Sequence, residues 1–137
     1  MDPTSDARVA LERLIAAAEA GDLSGMLETH DVDLIVAFGS ATEAVGPAAD
    51  LDLAVGCTGQ LDAVGLMESL YAATGFERVD LLDLRPAGIV ARGEALGHGR
   101  LVFERTPGTF AERQVVALTL MWDTRWLRDL ELEQLAR

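Results

Sequence analysis

The sequence contains no lysine, and arginine supplies all 11 of its basic residues. Against 23 acidic residues these leave a formal net charge of −12 at neutral pH. A surface of this sign repels phosphate backbones and anionic lipid, so it argues against a broad nucleic-acid or membrane-binding surface. A nucleotide can still bind where metal ions neutralise its phosphates.

Cysteine is almost absent as well, because Cys57 is the only one. A single cysteine excludes an internal disulfide and any cysteine-based zinc site. No apolar run approaches the ~20 residues of a membrane span, and the opening segment MDPTSDAR is acidic where a secretory signal is cationic. We therefore expect a soluble, cytoplasmic protein with a single domain over residues 1–137.

Apolar residues at helical spacing predict several helices. The first begins at a cap formed by Ser5 or Asp6 and ends near Gly21. Pro86 suits the first turn of a later helix that runs to about Leu96. The other predicted helical segments are a short piece within 22–30, a helix over 61–74, and a long C-terminal helix opened by a Thr109–Glu112 capping box.

Four segments have the composition of strands. They are VDLIVAF, DLDLAVG, ERVDLLDL and RLVFE, which begin at residues 32, 50, 77 and 100. Strands mixed with helices in this order predict an α/β (α+β) fold, in which a small mixed sheet is backed by helices. We expect Trp122 and Trp126, one turn apart in the last helix, to pack in the core, with a surface for a partner as the alternative.

Two carboxylates stand two residues apart in the second strand. Alternation places Asp50 and Asp52 on one face and the leucines between and after them on the other. Like charges this close repel, and a divalent cation between them relieves the repulsion; oxygen-only ligands favour a hard ion such as Mg²⁺. The alternative is that both acids lie on the solvated face of a half-exposed strand.

The third strand offers a further carboxylate. Asp80 is flanked by apolar residues and shares a face with Leu82 and Leu84, so a charge there is expensive to bury without a partner such as a metal site. Asp83 points to the opposite face, near the strand end, and we assign it a structural or solvated role. Alternation alone leaves both orientations of this strand open.

Gly39 and Ser40 end the first strand. Glycine lets a phosphate approach the backbone closely, and the serine hydroxyl can donate a hydrogen bond to a phosphate oxygen. A Gly-Ser pair alone is a weak signal, but here it is followed by a loop of nine residues and then Asp-x-Asp in a strand.

This arrangement resembles the DNA polymerase β-like nucleotidyltransferases, and among them the minimal nucleotidyltransferase (MNT) domains. The matching residues are Gly39, Ser40, Asp50, Asp52 and Asp80, and the layout of elements matches over most of the chain. The resemblance implies the polymerase β-like fold, with two Mg²⁺ ions and transfer of a nucleoside monophosphate, expected to be AMP, from ATP or another nucleoside triphosphate to an acceptor hydroxyl. It implies that the first two aspartates bind the ions and that the third helps to bind the second ion and activates the acceptor.

The resemblance also implies a partner, since MNT proteins commonly pair with HEPN-type toxins as antitoxins. We expect a HEPN-like protein as acceptor, and a homo-oligomer is also possible.

The loop departs from the family pattern, because it lacks an arginine after Gly39-Ser40 and carries Glu43 instead. A catalytically degenerate antitoxin that acts by binding is therefore an alternative, and a small-molecule nucleotidyltransferase is a weaker one. Other arginines that could replace the missing one are Arg78, Arg85 and Arg92. His98 is expected to be a solvated turn residue, and His30 is expected to mark the end of a helical segment.

Overall fold

A computed structural model describes residues 6–137 of the chain. Its elements, in chain order, are α1 (Ala7–Glu19), α2 (Ser24–Thr29), β1 (Val32–Phe38), a 3-10 turn (Gly39–Thr42), β2 (Leu51–Cys57), α3 (Ala63–Thr74), β3 (Val79–Asp83), α4 (Ile89–Gly97), β4 (Arg100–Glu104), α5 (Thr109–Asp123) and α6 (Arg125–Leu135).

The four strands form one mixed sheet in the order β3-β2-β1-β4. The central strand β1 is antiparallel to β2 and β4, whereas β2 and β3 are parallel. The parallel pair needs a crossover, which α3 supplies between β2 and β3. This confirms the expected mixed sheet backed by helices.

Helices cover both faces of the sheet, and the strand alternation divides the core between them. On the first face, α1, α2 and α3 pack against residues such as Ile35, Leu53 and Val55. On the second face, α4 and α5 pack against a smaller cluster that includes Leu34 and Ala54. Because successive strand residues point to opposite faces, both clusters draw on the same two central strands.

Most predicted elements are confirmed. Asp6 caps α1 by accepting a hydrogen bond from the backbone N–H of Arg8; the alternative cap, Ser5, lies outside the described residues. Gly75 ends α3 in the left-handed conformation that favours glycine, with φ of 70°. In the described part of the chain, no helix is both long and apolar enough to cross a membrane.

Three predictions about the later helices are wrong. Pro86 lies in the turn before α4, which begins at Ile89. The long C-terminal helix is two helices, α5 and α6, with Thr124 between them. Trp122 and Trp126 are 66% and 62% exposed instead of packing in the core.

The predicted capping box at the start of α5 is wrong as well. Thr109 is the first helical residue, and the cap position is Gly108, which has a φ of 94° and no side chain to accept a hydrogen bond. The carboxylate of Glu104, at the end of β4, accepts hydrogen bonds from the backbone N–H groups of Gly108 and Phe110. An acid from outside the helix therefore satisfies backbone donors at the start of α5.

We predict that Glu104→Gln destabilises the protein at neutral pH and not in acid. The two backbone donors hold the pKa of Glu104 below its usual value of 4.5. A lowered folded-state pKa contributes stability above pH 4.5 that is lost as the pH falls through the folded-state pKa. Urea unfolding of both proteins across this range measures the effect, and Glu131→Gln, on the exposed helix α6, is the control that should change little.

Candidate active site

The predicted carboxylates gather at the end of the sheet where β2 and β3 begin. Asp52 and Asp80 are direct partners in the parallel register of these strands, which places their side chains next to each other on the same face. Asp50 lies one residue before β2 and is exposed. The face they share is the second one, because Ala54 and Leu82 on it pack with α4 and α5.

The register also separates the two candidate acids of β3. Asp80 lies beside Asp52, whereas Asp83 is paired with Val55 and so belongs to the first face. The Asp83 carboxylate accepts a hydrogen bond from the backbone N–H of Arg85, which closes the turn after β3. This is the structural position that the sequence predicted for Asp83.

Gly39 is in contact with the carboxylate of Asp52. The antiparallel pairing of β1 with β2 places Phe38, the last residue of β1, opposite Asp52. Gly39, which follows Phe38, therefore lies beside the acid. A β-carbon built on Gly39 would overlap the Oδ2 atom of Asp52, and the backbone there has a φ of 74°. Both the close approach and the left-handed backbone require glycine.

Ser40 follows in the 3-10 turn and is half-buried. Its carbonyl accepts a hydrogen bond from Glu43, while Thr42 donates its hydroxyl to the carbonyl of Gly39. Within residues 6–137, the Ser40 hydroxyl makes no hydrogen bond to another protein group. It is therefore available to a phosphate oxygen.

The two neighbouring acids perturb Asp52. Burial raises the pKa of Asp52, and the negative charges of Asp80 and Asp50 raise it further. The pKa of Asp52 thus depends on both neighbouring carboxylates, although only Asp80 is paired with it in the sheet. A cation between the three carboxylates would remove this repulsion.

The donor chemistry of Asp50, Asp52 and Asp80 fits a hard divalent ion such as Mg²⁺. Their side chains are nevertheless not arranged as a ready-made metal cage: no three His, Cys, Asp or Glu side chains in the described chain are positioned to hold one ion. The residues fit the ion by chemistry and by mutual repulsion, and binding requires the carboxylates to turn toward a common point.

A cavity of about 500 Å³ adjoins Gly39. It is lined by Phe38, Gly39, Thr42, Glu43, Glu94 and His98, so α4 forms one of its walls. Glu94 and His98 are exposed on this wall. The sequence predicted a solvated His98 but gave no sign that it faces the same cavity as Gly39, because nothing local reports how α4 packs.

The three arginines considered as replacements lie in different places. Arg78 donates a hydrogen bond to the carbonyl of Ala49, next to Asp50, and stacks on Phe76. Arg85 and Arg92 line a separate cleft of about 550 Å³ beside Gly56, Cys57 and α5, at the opposite end of β2. Arg78 alone of the three is therefore beside the acids.

A further arginine was missed by the sequence reasoning. Arg8 of α1 donates hydrogen bonds to the carbonyl oxygens of Glu43 and Gly46 and so holds the loop between the 3-10 turn and β2. Its contacts span more than thirty residues of sequence, and no local pattern signals them.

Comparison with known proteins gives a family and a fold. The family model described as "Polymerase beta, Nucleotidyltransferase" matches residues 22–107. No curated protein matches significantly.

Several solved structures with the same fold are toxin-antitoxin complexes. A chain of a mutant MntA-HpeT toxin-antitoxin is 20% identical, with a TM-score of 0.66 over 85% of this chain and 98% of that one. A chain of the complex between a tri-AMPylated Shewanella oneidensis HEPN toxin and an MNT antitoxin is 22% identical. Its TM-score is 0.63, and the match covers 85% of this chain and 95% of that one. A chain of a toxin-antitoxin structure with AMP-PNP is 22% identical. Its TM-score is 0.66, and the match covers 85% of this chain and 98% of that one.

We predict that Asp52→Asn raises the thermal midpoint of the metal-free protein at neutral pH. The pKa of Asp52 is raised above its unfolded value of 3.8, so its contribution to stability is fully present below pH 3.8 and is lost as the pH rises through the folded-state pKa. The gain should therefore vanish in acid. Asp83→Asn, on the other face, serves as the control; an equal gain there would contradict the argument.

Gly39→Ala should damage both stability and the site. Alanine in a left-handed conformation costs about 1–2 kcal/mol, and its β-carbon would also displace the Asp52 carboxylate. Gly46→Ala is a matched control, because Gly46 has a φ of 96° with open space around it. Both variants should lose stability in chemical unfolding, but Gly39→Ala alone should lose Mg²⁺-dependent nucleotide binding.

Proposed function

Because the chain belongs to the polymerase β nucleotidyltransferase family, we propose that it transfers a nucleoside monophosphate, AMP from ATP, to a hydroxyl group of a partner protein. One observation carries the proposal. Asp52 and Asp80 are neighbours in the parallel register of β2 and β3, and Gly39 passes directly beside Asp52. Two carboxylates next to a backbone that a phosphate can approach are the parts that nucleotidyl transfer needs.

Each residue has a distinct role in this proposal. Gly39 leaves room for the triphosphate, and the Ser40 hydroxyl donates a hydrogen bond to it. Asp50 and Asp52 would hold the Mg²⁺ ions, and Asp80 would complete the second ion's ligands. When bound, the ions neutralise the phosphates and stabilise charge on the attacking and leaving oxygens.

The transfer itself is a substitution at phosphorus. The acceptor hydroxyl oxygen forms a bond to the α-phosphorus, the bond from that phosphorus to the bridging oxygen breaks, and pyrophosphate leaves. The proton of the hydroxyl passes to a carboxylate, and Asp80, the more exposed member of the paired acids, is the base that the geometry favours.

We propose a HEPN-like toxin as the acceptor protein. The structures of similar fold include an MNT antitoxin bound to a tri-AMPylated HEPN toxin and a toxin-antitoxin with AMP-PNP. The cavity next to Gly39 supports a protein acceptor, because its exposed residues Glu43, Glu94 and His98 leave it accessible to a side chain from a partner.

One observation favours a second function, a partner-binding antitoxin without transfer. The loop after Ser40 carries Glu43 in place of the family's arginine, and Glu43 lines the cavity beside Gly39. A carboxylate there repels a triphosphate. Arg78 donates a hydrogen bond to the carbonyl of Ala49, next to Asp50, and is not among the residues that line this cavity.

Titration calorimetry with ATP, with and without Mg²⁺, tests the proposal. We expect Mg²⁺-dependent binding by the wild type that is lost in the Asp50→Asn, Asp52→Asn double variant and retained in Asp83→Asn. Transfer of label from α-phosphate-labelled ATP to a HEPN protein should fall more than about 100-fold in the double variant, because even outer-shell metal partners matter by about 10- to 100-fold.

The contrary result identifies the second function. If millimolar ATP does not bind in the presence of Mg²⁺, and the double variant still binds and neutralises the HEPN protein as the wild type does, the protein acts by binding.

A further inference from the structure

The turn between α4 and β4, with the sequence GHGR, packs closely against the first strand. A β-carbon built on Gly99 would overlap the side chain of Val36 and the carbonyl oxygen of Ala95. The second of these is a backbone atom of α4, so a side chain at this position does not fit without a shift of the helix. The turn is therefore fixed in place, and with it His98, which is exposed.

Strand pairing brings His98 toward Gly39. In the antiparallel pair of β1 and β4, Ala37 lies opposite Arg100. Residues that precede Arg100 therefore run alongside those that follow Ala37. His98 is two residues before Arg100 and Gly39 is two residues after Ala37, and both line the same cavity of about 500 Å³.

This cavity lies on the same face of the sheet as the carboxylate of Asp52. Phe38, which lines the cavity, packs with the core cluster of the second face. It is also paired with Asp52 across β1 and β2, and paired residues point to the same face. A phosphate bound against Gly39 on this face is thus next to the cavity that His98 lines.

His98 is the one basic side chain among the described residues that line the cavity. Glu43 and Glu94 line it as well, and their charges repel a phosphate. Arg100, the next cation along the chain, forms an ion pair of 2.6 Å with Glu12. Within the described chain, no hydrogen bond or ion pair occupies the His98 ring, so the ring is free to donate.

We propose that His98 binds the triphosphate of the nucleotide by donating a hydrogen bond from its imidazole ring to a phosphate oxygen. The inference rests on the proposed function, which places the triphosphate at Gly39. A neutral imidazole donates through one N–H, whereas a protonated one donates through two and adds a positive charge. An imidazole in water is mostly neutral above pH 7, so Mg²⁺ supplies most of the positive charge there and His98 contributes most in mild acid.

The charged groups near His98 have to be separated from it in a pH experiment. The pKa of Asp52 is raised, so Mg²⁺ binding weakens as the pH falls in every variant that keeps this acid. Glu43 and Glu94 face the same cavity, and Arg8 donates a hydrogen bond to the carbonyl of Glu43. All these groups are present in both the wild type and a His98 variant, so the ratio of their dissociation constants at each pH reports on His98.

Titration calorimetry with Mg²⁺ and ATP at pH 6 and pH 8 tests the proposal. His98→Gln keeps a hydrogen-bond donor without the charge, and we expect it to weaken binding about 5- to 10-fold at pH 6 and less than about 3-fold at pH 8. His98→Arg is charged at both pH values, so it should match the wild type at pH 6 and bind more tightly than it at pH 8. Circular dichroism checks that both variants fold.

The other histidine of the chain provides the matched control. His30 precedes β1, at the opposite end of that strand from Gly39, and His30→Gln should leave binding unchanged at both pH values. Proton NMR of the histidine rings gives a second readout, because the chain has only these two histidines and His30→Gln assigns their signals. Mg²⁺ and ATP together should shift the His98 signals and leave those of His30 in place.

Other outcomes overturn the proposal. If ATP binds with Mg²⁺ and binding is lost in the Asp50→Asn, Asp52→Asn variant, but His98→Gln equals the wild type at pH 6, His98 does not bind the phosphates and the proposed transfer stands. If ATP does not bind to the wild type at all, both proposals fail. If the His98 signals move only when a HEPN protein is added, His98 contacts the acceptor protein and not the nucleotide.

Discussion

The antiparallel pairing of β1 with β2 is the constraint on which both the core and the candidate site depend. It places Phe38 opposite Asp52 and thereby sets Gly39 against the carboxylate. A register slip of one residue would turn Asp52 toward the first face and bring Leu53 out of its core. The position of the acid is thus fixed by the burial of the leucine next to it, rather than by the loop that separates the strands.

The same arrangement is electrostatically unfavourable when nothing is bound. Asp52 is half-buried beside Asp80 and has no basic partner in the hydrogen bonds and ion pairs of the described chain, and its pKa is raised accordingly. Elsewhere the fold treats carboxylates differently: Asp33 accepts two hydrogen bonds from the guanidinium of Arg113, and Glu104 accepts two from backbone N–H groups. Unrelieved repulsion at one place in a fold that satisfies its other partly buried acids is typical of a site kept for a ligand.

The sequence predicts those features whose cause is local. The alternation of Leu51, Leu53 and Val55 predicted the face of Asp52, and the apolar run before Gly39 predicted β1. The face of Asp80 needed the register between β2 and β3, which is set by contacts across the sheet. The spacing of Thr109 and Glu112 fitted a capping box, but Glu104 accepts hydrogen bonds at this helix start from β4, a contact between elements that spacing cannot report.

The apolar spacing of the last helices was likewise ambiguous, since helical periodicity indicates an apolar face without stating what covers it. Trp122 and Trp126 have the spacing of core residues, yet the second face of the sheet is already filled by Ala95, Leu96 and Ala117. The core is complete before α6 begins, and the tryptophans are left outside it.

The arginines of this acidic chain serve mainly to hold its turns and loops. A guanidinium has several fixed donors and can bridge two acceptors, which the single ammonium of lysine does less well. Arg92 bridges the carbonyls of Leu84 and Arg85, and Arg8 bridges those of Glu43 and Gly46. These cations hold turns and loops in place, and none of them contacts Asp52. A triphosphate at Gly39 therefore has to rely on divalent cations for its neutralisation, so the acids that repel it in their absence are also the ligands that would make its binding possible.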